Sequence, residues 1–306
     1  MKQVSVTIGF SPRERFHLAA KSLKAIYKHT HIPFNLVIID CNTPAVYLSE
    51  MKKVLEGKSN VKIIHTDTFL EPNQARNLIL ANTKDEYVAF IENDCIVSDN
   101  WLSKLIAACE EFPAMVAIPL LLEGQTWRKN VHHDTKLAKI KKGESEGKIF
   151  YEFEEDLGLL NRYKETKRHK AWSIEMHIML FKREVFDIIG PFDEAVLSDA
   201  AYIDVSLALF KANIPIVCEP KAQVNFDSPP SVYANELPFY RFIWDLRKYT
   251  GNGEYLTRKY LNNKWNILNM QDGTEFVADQ YYRTHWHTWI LRMGPKKIRR
   301  IFSKIF

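Results

Sequence analysis

The sequence predicts an α/β fold in which helices cover both faces of a mostly parallel β-sheet. Two observations support this prediction: apolar segments have the length and β-branched composition of buried strands, and segments with helical spacing of apolar residues lie between them. Strands that alternate with helices in this way favour parallel pairing within a covered sheet. The predicted strands are residues 4–10, 34–43, 61–66, 87–91 and 115–122.

Each segment between these strands has features of a helix. Apolar residues recur at helical spacing from residue 16 to 28, and similar patterns span 47–55 and 101–110. The remaining helix is expected to begin at Pro72, because proline lacks the N–H that has no partner in the first turn of a helix. Its first turn and a half then carries Asn73-Gln74-Ala75-Arg76-Asn77.

The chain divides where its composition changes. Residues 123–170 are rich in Lys, Glu, Gly and His and have few apolar positions, which predicts a surface insertion that includes a mobile loop. Regular strand and helix patterns resume over 171–240, with predicted strands at 214–220 and 222–226, and an aromatic, helical pattern follows. We therefore expect one domain over 1–240, interrupted by the insertion, and a helical C-terminal extension over 241–306.

Composition is ordinary for a soluble globular protein, with 46% hydrophobic and 26% charged residues in 306. The four cysteines are widely spaced, which indicates reduced thiols rather than a zinc site or a disulfide framework. No apolar run has the ~18 residues that a membrane span needs, and the N-terminus lacks a signal-peptide pattern. These features predict a cytoplasmic protein.

Positive charge is concentrated at the C-terminus. Residues 280–306 contain seven Lys and Arg and no acidic residue, so the rest of the chain carries a net −2, that is +5 less +7. The rest of the protein is therefore not basic, and nucleic-acid binding is not expected. Within 295–306 the apolar residues fall on one helical face. At about 1 kcal/mol for each of five basic residues, this tail predicts either reversible attachment to an anionic membrane or docking on the body of the protein.

An acidic turn, Glu92-Asn93-Asp94, follows the apolar strand 87–91. The turn would lie at the carboxyl edge of the sheet, where open α/β folds bind their ligands. Glu92 and Asp94 are two residues apart, so on an extended segment they point the same way and can share a hard divalent cation. A solvated turn is the alternative interpretation. Asp40 and Arg76 are expected at the same edge of the sheet.

The common glycine-rich nucleotide motifs are missing. Gly251-Asn252-Gly253 lacks a third glycine and a preceding strand, and the segment from Gly143 to Lys148 is one residue too short for a phosphate-binding loop. A dehydrogenase or a P-loop enzyme is therefore not predicted. Phosphate groups, if bound, would be neutralised by a metal ion and basic side chains.

The order of these polar features resembles the family 2 glycosyltransferases of the GT-A fold. The matching features are Asp40 after the second strand, Ala75-Arg76-Asn77 at a helix start, Glu92-Asn93-Asp94 after the fourth strand, and the segment IIGPFDE at 188–194. The resemblance covers roughly residues 3–226 apart from the insertion. It implies a nucleotide-sugar half over 1–122 and an acceptor half over 171–240.

The resemblance also implies roles for individual residues. Asp40 would contact the nucleobase, and Asp94 and then Glu92 would hold Mn²⁺ or Mg²⁺ on the diphosphate of the donor. The expected donor-binding residues are Phe10, Ser11, Arg13, Asp40, Asn73, Arg76 and Asn93.

The catalytic base of inverting relatives is an aspartate, often within Glu-Asp-x-Asp. Here the segment Ala201-Tyr202-Ile203-Asp204 keeps only the last acid, so Asp204 is the expected base, with Asp199 in reserve. Glu175 and His177 alternate on a predicted strand and face one side. They can bind acceptor hydroxyls, supply the base, or form a structural pair.

Other polar and aromatic residues have weaker patterns. Asp227 is a candidate third metal ligand, His132-His133 are expected on the surface, and His285 and His287 diverge around a helix. The tryptophans at helical spacing are expected in the core: Trp244, Trp265, Trp286 and Trp289.

The resemblance implies a metal-dependent glycosyltransferase that moves a sugar from a nucleoside-diphosphate sugar to a hydroxyl of a saccharide or lipid-linked acceptor. Two alternatives stay open. Tyr202, at the usual base position, is also compatible with a non-catalytic nucleotide-sugar-binding protein. A sugar nucleotidyltransferase would need a glycine- and basic-rich first loop, for which Phe10-Ser11-Pro12-Arg13 offers only Arg13.

Overall fold

The computed structural model describes residues 4–13, 15–123, 130–132, 138–154, 167–196, 201–226 and 252–268. The strands in the first half are β1 Val6–Phe10, β2 Asn35–Cys41, β3 Val61–Thr66, β4 Tyr87–Ile91, β5 Cys95–Val97 and β6 Val116–Glu123. The later strands are β7 Asn130–Val131, β8 Lys139–Ser145, β9 Lys148–Glu154, β10 His169–Ala171, β11 Ile178–Lys182 and β12 Ile216–Phe226. A 3-10 turn, Phe16–Leu18, precedes the first helix. The helices are α1 Ala19–His29, α2 Ala45–Leu55, α3 Pro72–Ala81, α4 Trp101–Glu111, α5 Val185–Ile189, α6 Ala201–Lys211 and α7 Asn252–Trp265.

The central sheet is mixed but mostly parallel, as predicted. Its strand order is β10-β12-β6-β11-β4-β1-β2-β3, with β5 paired to β12 and β7 paired to β6. Strands β1 to β4 form one parallel block, and β6 and β12 form a second parallel pair. Strand β11 lies between the two blocks and runs antiparallel to both β4 and β6. This reversed strand brings its amino end to the carboxyl end of β4.

Hydrophobic clusters cover the two faces of the sheet. Ile8 and Ala89 belong to one cluster, whereas Val88 and Phe90 belong to the other. The largest fully buried side chain is Trp101, whose indole N–H donates to Thr30 Oγ1 at 2.9 Å. Burial on both faces explains why the central strands are continuously apolar rather than alternating.

Residues 138–154 of the predicted insertion form regular structure, which its composition did not indicate. Strands β8 and β9 form an antiparallel hairpin within it, and three of their apolar side chains join the second cluster: Ile140, Tyr151 and Phe153. Composition missed this hairpin because its strands alternate between exposed charged residues and a few buried apolar ones. The predicted strands at 214–220 and 222–226 are likewise one strand, β12, with a register shift between Glu219 and Gln223.

Of the C-terminal extension, only residues 252–268 lie within the described part of the chain, and they contain α7. The predicted basic tail lies outside the described residues, as do Trp244, Trp286, Trp289 and the histidine pair at 285 and 287. No helix in the described residues is long and apolar enough to cross a membrane.

Gly9 in β1 marks the close approach of α3 to the sheet. A Cβ atom at this position would overlap Cγ2 of Ile79 and lie 2.9 Å from its Cδ1. Ile79 is itself buried and β-branched, so its side chain has little freedom to move aside. The helix that carries Arg76 therefore lies directly on this glycine.

Replacing Gly9 by Ala should destabilise the protein by about 1–3 kcal/mol, because the added methyl overpacks the contact between β1 and α3. Urea denaturation of the wild type, Gly9→Ala, Ile79→Ala and the double variant would measure the coupling. We expect the Gly9→Ala cost to shrink in the Ile79→Ala background. An equal cost in both backgrounds would show that Ile79 is not the obstacle.

Candidate active site

The acidic turn lies between β4 and β5 at the carboxyl edge of the sheet, as the sequence predicts. The backbone N–H of Glu92 donates to the carbonyl of His177 at 2.9 Å, which continues the pairing of β4 with β11. Asn93 and Asp94 are both buried. The turn is therefore part of the interior edge of the sheet and not a solvated loop.

Glu92 and Asp94 bind different arginines. Glu92 Oε1 accepts hydrogen bonds from Arg13 at 2.9 Å and from Arg76 at 3.0 Å. Asp94 Oδ2 accepts a hydrogen bond from Arg15 at 2.6 Å. The two carboxylates do not share a partner among these contacts, although they were expected to point the same way. Three guanidinium groups from two segments of the chain thus surround the acidic turn.

Asp94 is the more deeply buried of the two carboxylates. Its side chain is 3% exposed, against 22% for Glu92. Burial raises the pKa of Asp94, although the charge of Arg15 opposes this effect. Its second oxygen, Oδ1, is contacted within the described residues by the thiol of Cys95 at 3.9 Å. Asp94 therefore has an oxygen whose partner among these residues is only a weak donor.

Helix α3 positions Arg76. Glu71 and Gln74 form a capping box at the start of this helix, with Pro72 in the first turn. Arg76 donates to Asn73 Oδ1 at 3.0 Å and to the carbonyl of Met176 at 3.3 Å, so its guanidinium is held on two sides.

The segment 188–194 packs against the same helix. The Asn77 side chain makes two hydrogen bonds with the Phe192 backbone, both at 2.9 Å. Its Nδ2 donates to the Phe192 carbonyl, and its Oδ1 accepts from the Phe192 N–H. Asn73 donates to the carbonyl of Asp193 at 2.8 Å. The two matching sequence features, Ala75-Arg76-Asn77 and IIGPFDE, are therefore joined by amide hydrogen bonds.

Arg15 has an unusual backbone conformation. Its φ is 47°, in the left-handed region, and its carbonyl accepts a hydrogen bond from Asn93 Nδ2 at 3.1 Å. The guanidinium lies over the ring of Phe226, 5.2 Å from the ring centre. Sequence analysis did not single out Arg15, because a lone arginine after Arg13 has no distinctive pattern.

Asp40 ends β2 at the same edge and is buried. It accepts hydrogen bonds from the Thr43 N–H at 2.8 Å and from the His65 ring at 2.8 Å. The hydrogen bond to Asp40 raises the pKa of His65. Ser11 is buried after β1, while the Phe10 side chain lies in the hydrophobic core. Any contact between Phe10 and a ligand would therefore come from its backbone.

Glu175 and His177 form a tight pair just before β11. Glu175 Oε1 lies 2.6 Å from His177 Nδ1, and Glu175 Oε2 accepts from the His177 backbone N–H at 2.8 Å. Burial by itself lowers the pKa of His177, but the charge of Glu175 outweighs burial and raises it to about 10. Burial likewise raises the pKa of Glu175, and His177 lowers it to about 2. The two side chains thus form an imidazolium–carboxylate pair near neutral pH.

His132 joins this pair, although it was expected on the surface. Its ring centre lies 5.0 Å from that of His177, and its Nδ1 lies 2.9 Å from Glu123 Oε2. Strand β7 is paired with the end of β6, which places His132 there. Sequence analysis missed His132 because the pairing of a two-residue strand has no sequence pattern.

Asp204 lies on α6 and contacts α7. Its Oδ1 accepts from Trp265 Nε1 at 2.6 Å and from Lys264 Nζ at 2.8 Å. Lys264 also binds Asp193 Oδ2 at 2.7 Å. Asp204 is therefore linked to Asn73 and Arg76 through Lys264 and Asp193. Asp199, Asp227 and His133 lie outside the described residues.

Two solved structures share the fold of this chain. The crystal structure of GalNAc-T7 with UDP, GalNAc and Mn²⁺ matches with a TM-score of 0.58 at 12% identity, over 95% of this chain and 56% of that chain. Residues 1–349 of S. aureus TarS in complex with UDP-GlcNAc match with a TM-score of 0.57 at 12% identity, over 97% of this chain and 79% of that chain. This chain thus spans little more than half of GalNAc-T7. A search of the curated proteins finds no match.

The fold is of the GT-A type. A model of glycosyl transferase family 2 matches residues 14–189, which is more than half of the chain. The chain belongs to glycosyl transferase family 2. The resemblance inferred from the sequence and the predicted fold class are therefore confirmed.

The pair of Glu175 and His177 should make stability depend on pH. His177 has a raised pKa, so its contribution is complete below about 6.5 and is lost as the pH rises to about 10. Glu175 has a lowered pKa, so its contribution is lost as the pH falls from about 4.5 to about 2. Urea denaturation in the presence of a chelator would measure the difference in free energy of unfolding between the wild type and a Glu175→Gln/His177→Gln variant.

The advantage of the wild type should be largest between about 4.5 and 6.5. A suitable control is His31→Gln/Asp99→Asn, which removes an exposed histidine–carboxylate contact. That control should change the pH profile only slightly, because exposed pairs are screened by water. A difference between the wild type and the Glu175 and His177 variant that stays constant from pH about 2 to pH about 10 would contradict the ion pair.

Proposed function

We propose that this protein is a metal-dependent glycosyltransferase that moves a sugar from a nucleoside-diphosphate donor to a hydroxyl of a saccharide or lipid-linked acceptor, in glycan or glycolipid synthesis. The observation that carries the proposal is the buried carboxylate of Asp94 at the carboxyl edge of β4, beside three arginines, in a member of glycosyl transferase family 2. GalNAc-T7 was crystallised with UDP and Mn²⁺, and TarS with UDP-GlcNAc, which supports this class of donor.

The donor atoms around Asp94 fit a divalent cation. Asp94 Oδ1 has only a thiol as its partner among the described residues, and burial raises the pKa of this carboxyl. A cation bound to Asp94 would offset that burial cost. Oxygen ligands suit Mg²⁺ and Mn²⁺, and such an ion would supply Lewis-acid stabilisation of the leaving diphosphate. Glu92 is a less direct ligand, because two arginines already bind its Oε1.

Three arginines give the site the charge that a diphosphate needs. Arg13, Arg15 and Arg76 all bind the acidic turn in this structure. Guanidinium groups form strong, directional hydrogen bonds to phosphate oxygens. Arg15 can therefore transfer from Asp94 to a donor phosphate. Asp94 then becomes available to a cation. The arginines would take the place of the glycine-rich loop that the sequence lacks.

The other residues proposed to contact the donor lie at the same carboxyl edge of the sheet. We propose that Asp40 recognises the nucleobase, and that Ser11 and the Phe10 backbone line its approach. Asn73 orients Arg76 through a hydrogen bond at 3.0 Å. Asn93 would act in the same way by holding the carbonyl of Arg15. The two asparagines are thus proposed to position the guanidinium groups that bind the donor.

The base is proposed to be Asp204. Lys264 and Trp265 donate to its Oδ1 and hold the carboxylate in a defined orientation on α6. Glu175 and His177 are less suited to proton removal near neutral pH, because the pKa of Glu175 is lowered to about 2 and His177 already holds its proton. We propose that this pair binds acceptor hydroxyls.

One observation favours a second candidate function. Tyr202 occupies the position where relatives often have an aspartate, and Asp204 is bound by Lys264 and Trp265. A protein that binds a nucleotide sugar without transferring it would be compatible with both facts. Comparison of donor binding with donor turnover distinguishes the two functions.

Asp94→Asn should abolish the stabilisation that a donor and Mn²⁺ together confer, and should lower the transfer rate by about a thousandfold. One charge contact at ~4 Å is worth about 4 kcal/mol at an effective dielectric constant near 20, which corresponds to that loss of rate. A thermal-shift panel of UDP, GDP, CDP and dTDP sugars with and without Mn²⁺ would measure donor binding and identify the nucleotide.

Variants of the proposed base, Asp204, distinguish donor binding, measured in the same thermal-shift panel, from hydrolysis of the donor. Asp204→Asn should keep the donor-induced thermal shift and lose slow hydrolysis of the donor sugar. If Asp204→Asn and Asp94→Asn hydrolyse the donor as fast as the wild type, the glycosyltransferase proposal fails. If the wild type binds a donor and never turns it over with any tested acceptor, the binding protein is favoured.

We propose a cytoplasmic location, with reversible attachment to the cytoplasmic face of a membrane through residues 295–306. Deletion of 295–306 should remove co-sedimentation with vesicles of anionic lipid and leave donor binding unchanged. The expected attraction is at most ~5 kcal/mol and weakens with salt. Equal sedimentation of the full chain and the truncated chain would rule out this membrane contact.

A further inference from the structure

A histidine-rich cluster lies next to the acidic turn and has no part in the proposed donor site. It consists of His132, Glu175 and His177, each of which offers one ligand atom within 4.8 Å of those of the other two. The three residues come from two segments, the end of β7 and the approach to β11. Sheet pairing brings the segments together, since the His132 N–H donates to Leu121 O and the Glu92 N–H donates to His177 O.

Both histidine rings are held in place. A carboxylate oxygen lies within hydrogen-bond distance of Nδ1 in each ring: Glu123 at 2.9 Å for His132 and Glu175 at 2.6 Å for His177. The ring of Phe226 packs against both, 4.1 Å from His177 and 5.0 Å from His132 between ring centres. The contact of Glu123 with His132 is of the kind that orients a metal-binding histidine.

The cluster is also accessible. The side chain of His132 is 27% exposed, and those of Glu175 and His177 are 17% and 19% exposed. These values describe partly buried groups that keep some contact with solvent. Asp94 and Glu92 lie close enough to act on the charge of His177.

We propose that His132, Glu175 and His177 form a second metal site, which binds a transition-metal ion of the Zn²⁺ class. Two imidazoles and one carboxylate are a donor set that suits Zn²⁺ and related ions, whereas Mg²⁺ prefers oxygen ligands alone. The ion is distinct from the hard cation proposed at Asp94. Three protein ligands leave a fourth position open to water or a hydroxyl.

Metal binding needs only a small rearrangement. Glu175 Oε1 and His177 Nδ1 are now 2.6 Å apart. Ligands at roughly 2.0–2.1 Å from a tetrahedral ion are about 3.3 Å from each other. The shared proton would be replaced by the ion, and the two side chains would separate by about 0.7 Å if these same atoms are the ligands. Glu123 would keep the His132 ring in its present orientation.

Metal binding by the full chain, without nucleotide, tests this site. Chelator-treated protein should bind one Zn²⁺ per chain in titration calorimetry, and Co²⁺ should give visible ligand-field bands. His132→Ala and His177→Ala should lose both signals, and Glu123→Gln should weaken Zn²⁺ binding about 10–100-fold. His31→Ala, which removes an exposed histidine elsewhere, should bind as the wild type does.

Asp94→Asn distinguishes this site from the proposed donor metal. We expect Asp94→Asn to keep Zn²⁺ binding, since it removes no ligand of the cluster. Circular dichroism would check that each variant is folded, and His132→Gln would replace His132→Ala if the alanine variant is not. Absence of Zn²⁺ binding by the wild type, or undiminished binding by His132→Gln and His177→Ala, would overturn the second site. The second site would also be overturned if Asp94→Asn lost Zn²⁺ binding as completely as the histidine variants do. A single ion shared by Asp94 and the histidines would then explain both results.

Discussion

The antiparallel pairing of β11 with β4 is the constraint on which the site depends. In this register Ile178 lies opposite Ile91, so the residues before β11 meet the residues after β4. This register determines three features of the site: the contact of Glu92 with His177, the contact of Arg76 with the Met176 carbonyl, and the position of Glu175. A shift of one residue would turn these side chains to the other face of the sheet.

The charges at this edge are costly to bury. Three arginines and two carboxylates lie together around the acidic turn, and Asp94 is almost completely buried. Desolvation of a buried ion pair can cancel its attraction, so well-packed apolar residues would stabilise a fold equally well. Stability alone therefore does not explain these charges. A ligand that carries its own charge, such as a diphosphate with a divalent cation, gives a reason for them.

Helix α7 connects the C-terminal extension with the site. Lys264 binds both Asp193 and Asp204, and the Asp193 carbonyl accepts a hydrogen bond from Asn73. Lys264 and Trp265, which bind Asp204, are 60 and 61 positions away from it in sequence. The extension thus holds the proposed base and the donor-side helix in a fixed relation.

The sequence by itself determined the fold class, the main strands and helices of the sheet, and the position of the acidic turn. Continuous apolar strands and helical spacing are local patterns, and residues at strand ends share an edge once the sheet is parallel. It also indicated Arg76, since its position in the chain matches a known order of motifs, and the resemblance placed Arg13 among the donor-binding residues.

Only the tertiary structure decided which charges meet. The pairing of Glu92 with Arg13 and Arg76, and of Asp94 with Arg15, depends on contacts between residues 16 to 79 positions apart. The hairpin of β8 and β9 and the place of His132 beside His177 depend on strand pairing, which has no local pattern in such short or charged strands. The physical reason is that ion pairing and strand register depend on which residues lie close in space. The whole fold determines which residues those are, so no local pattern in the sequence shows them.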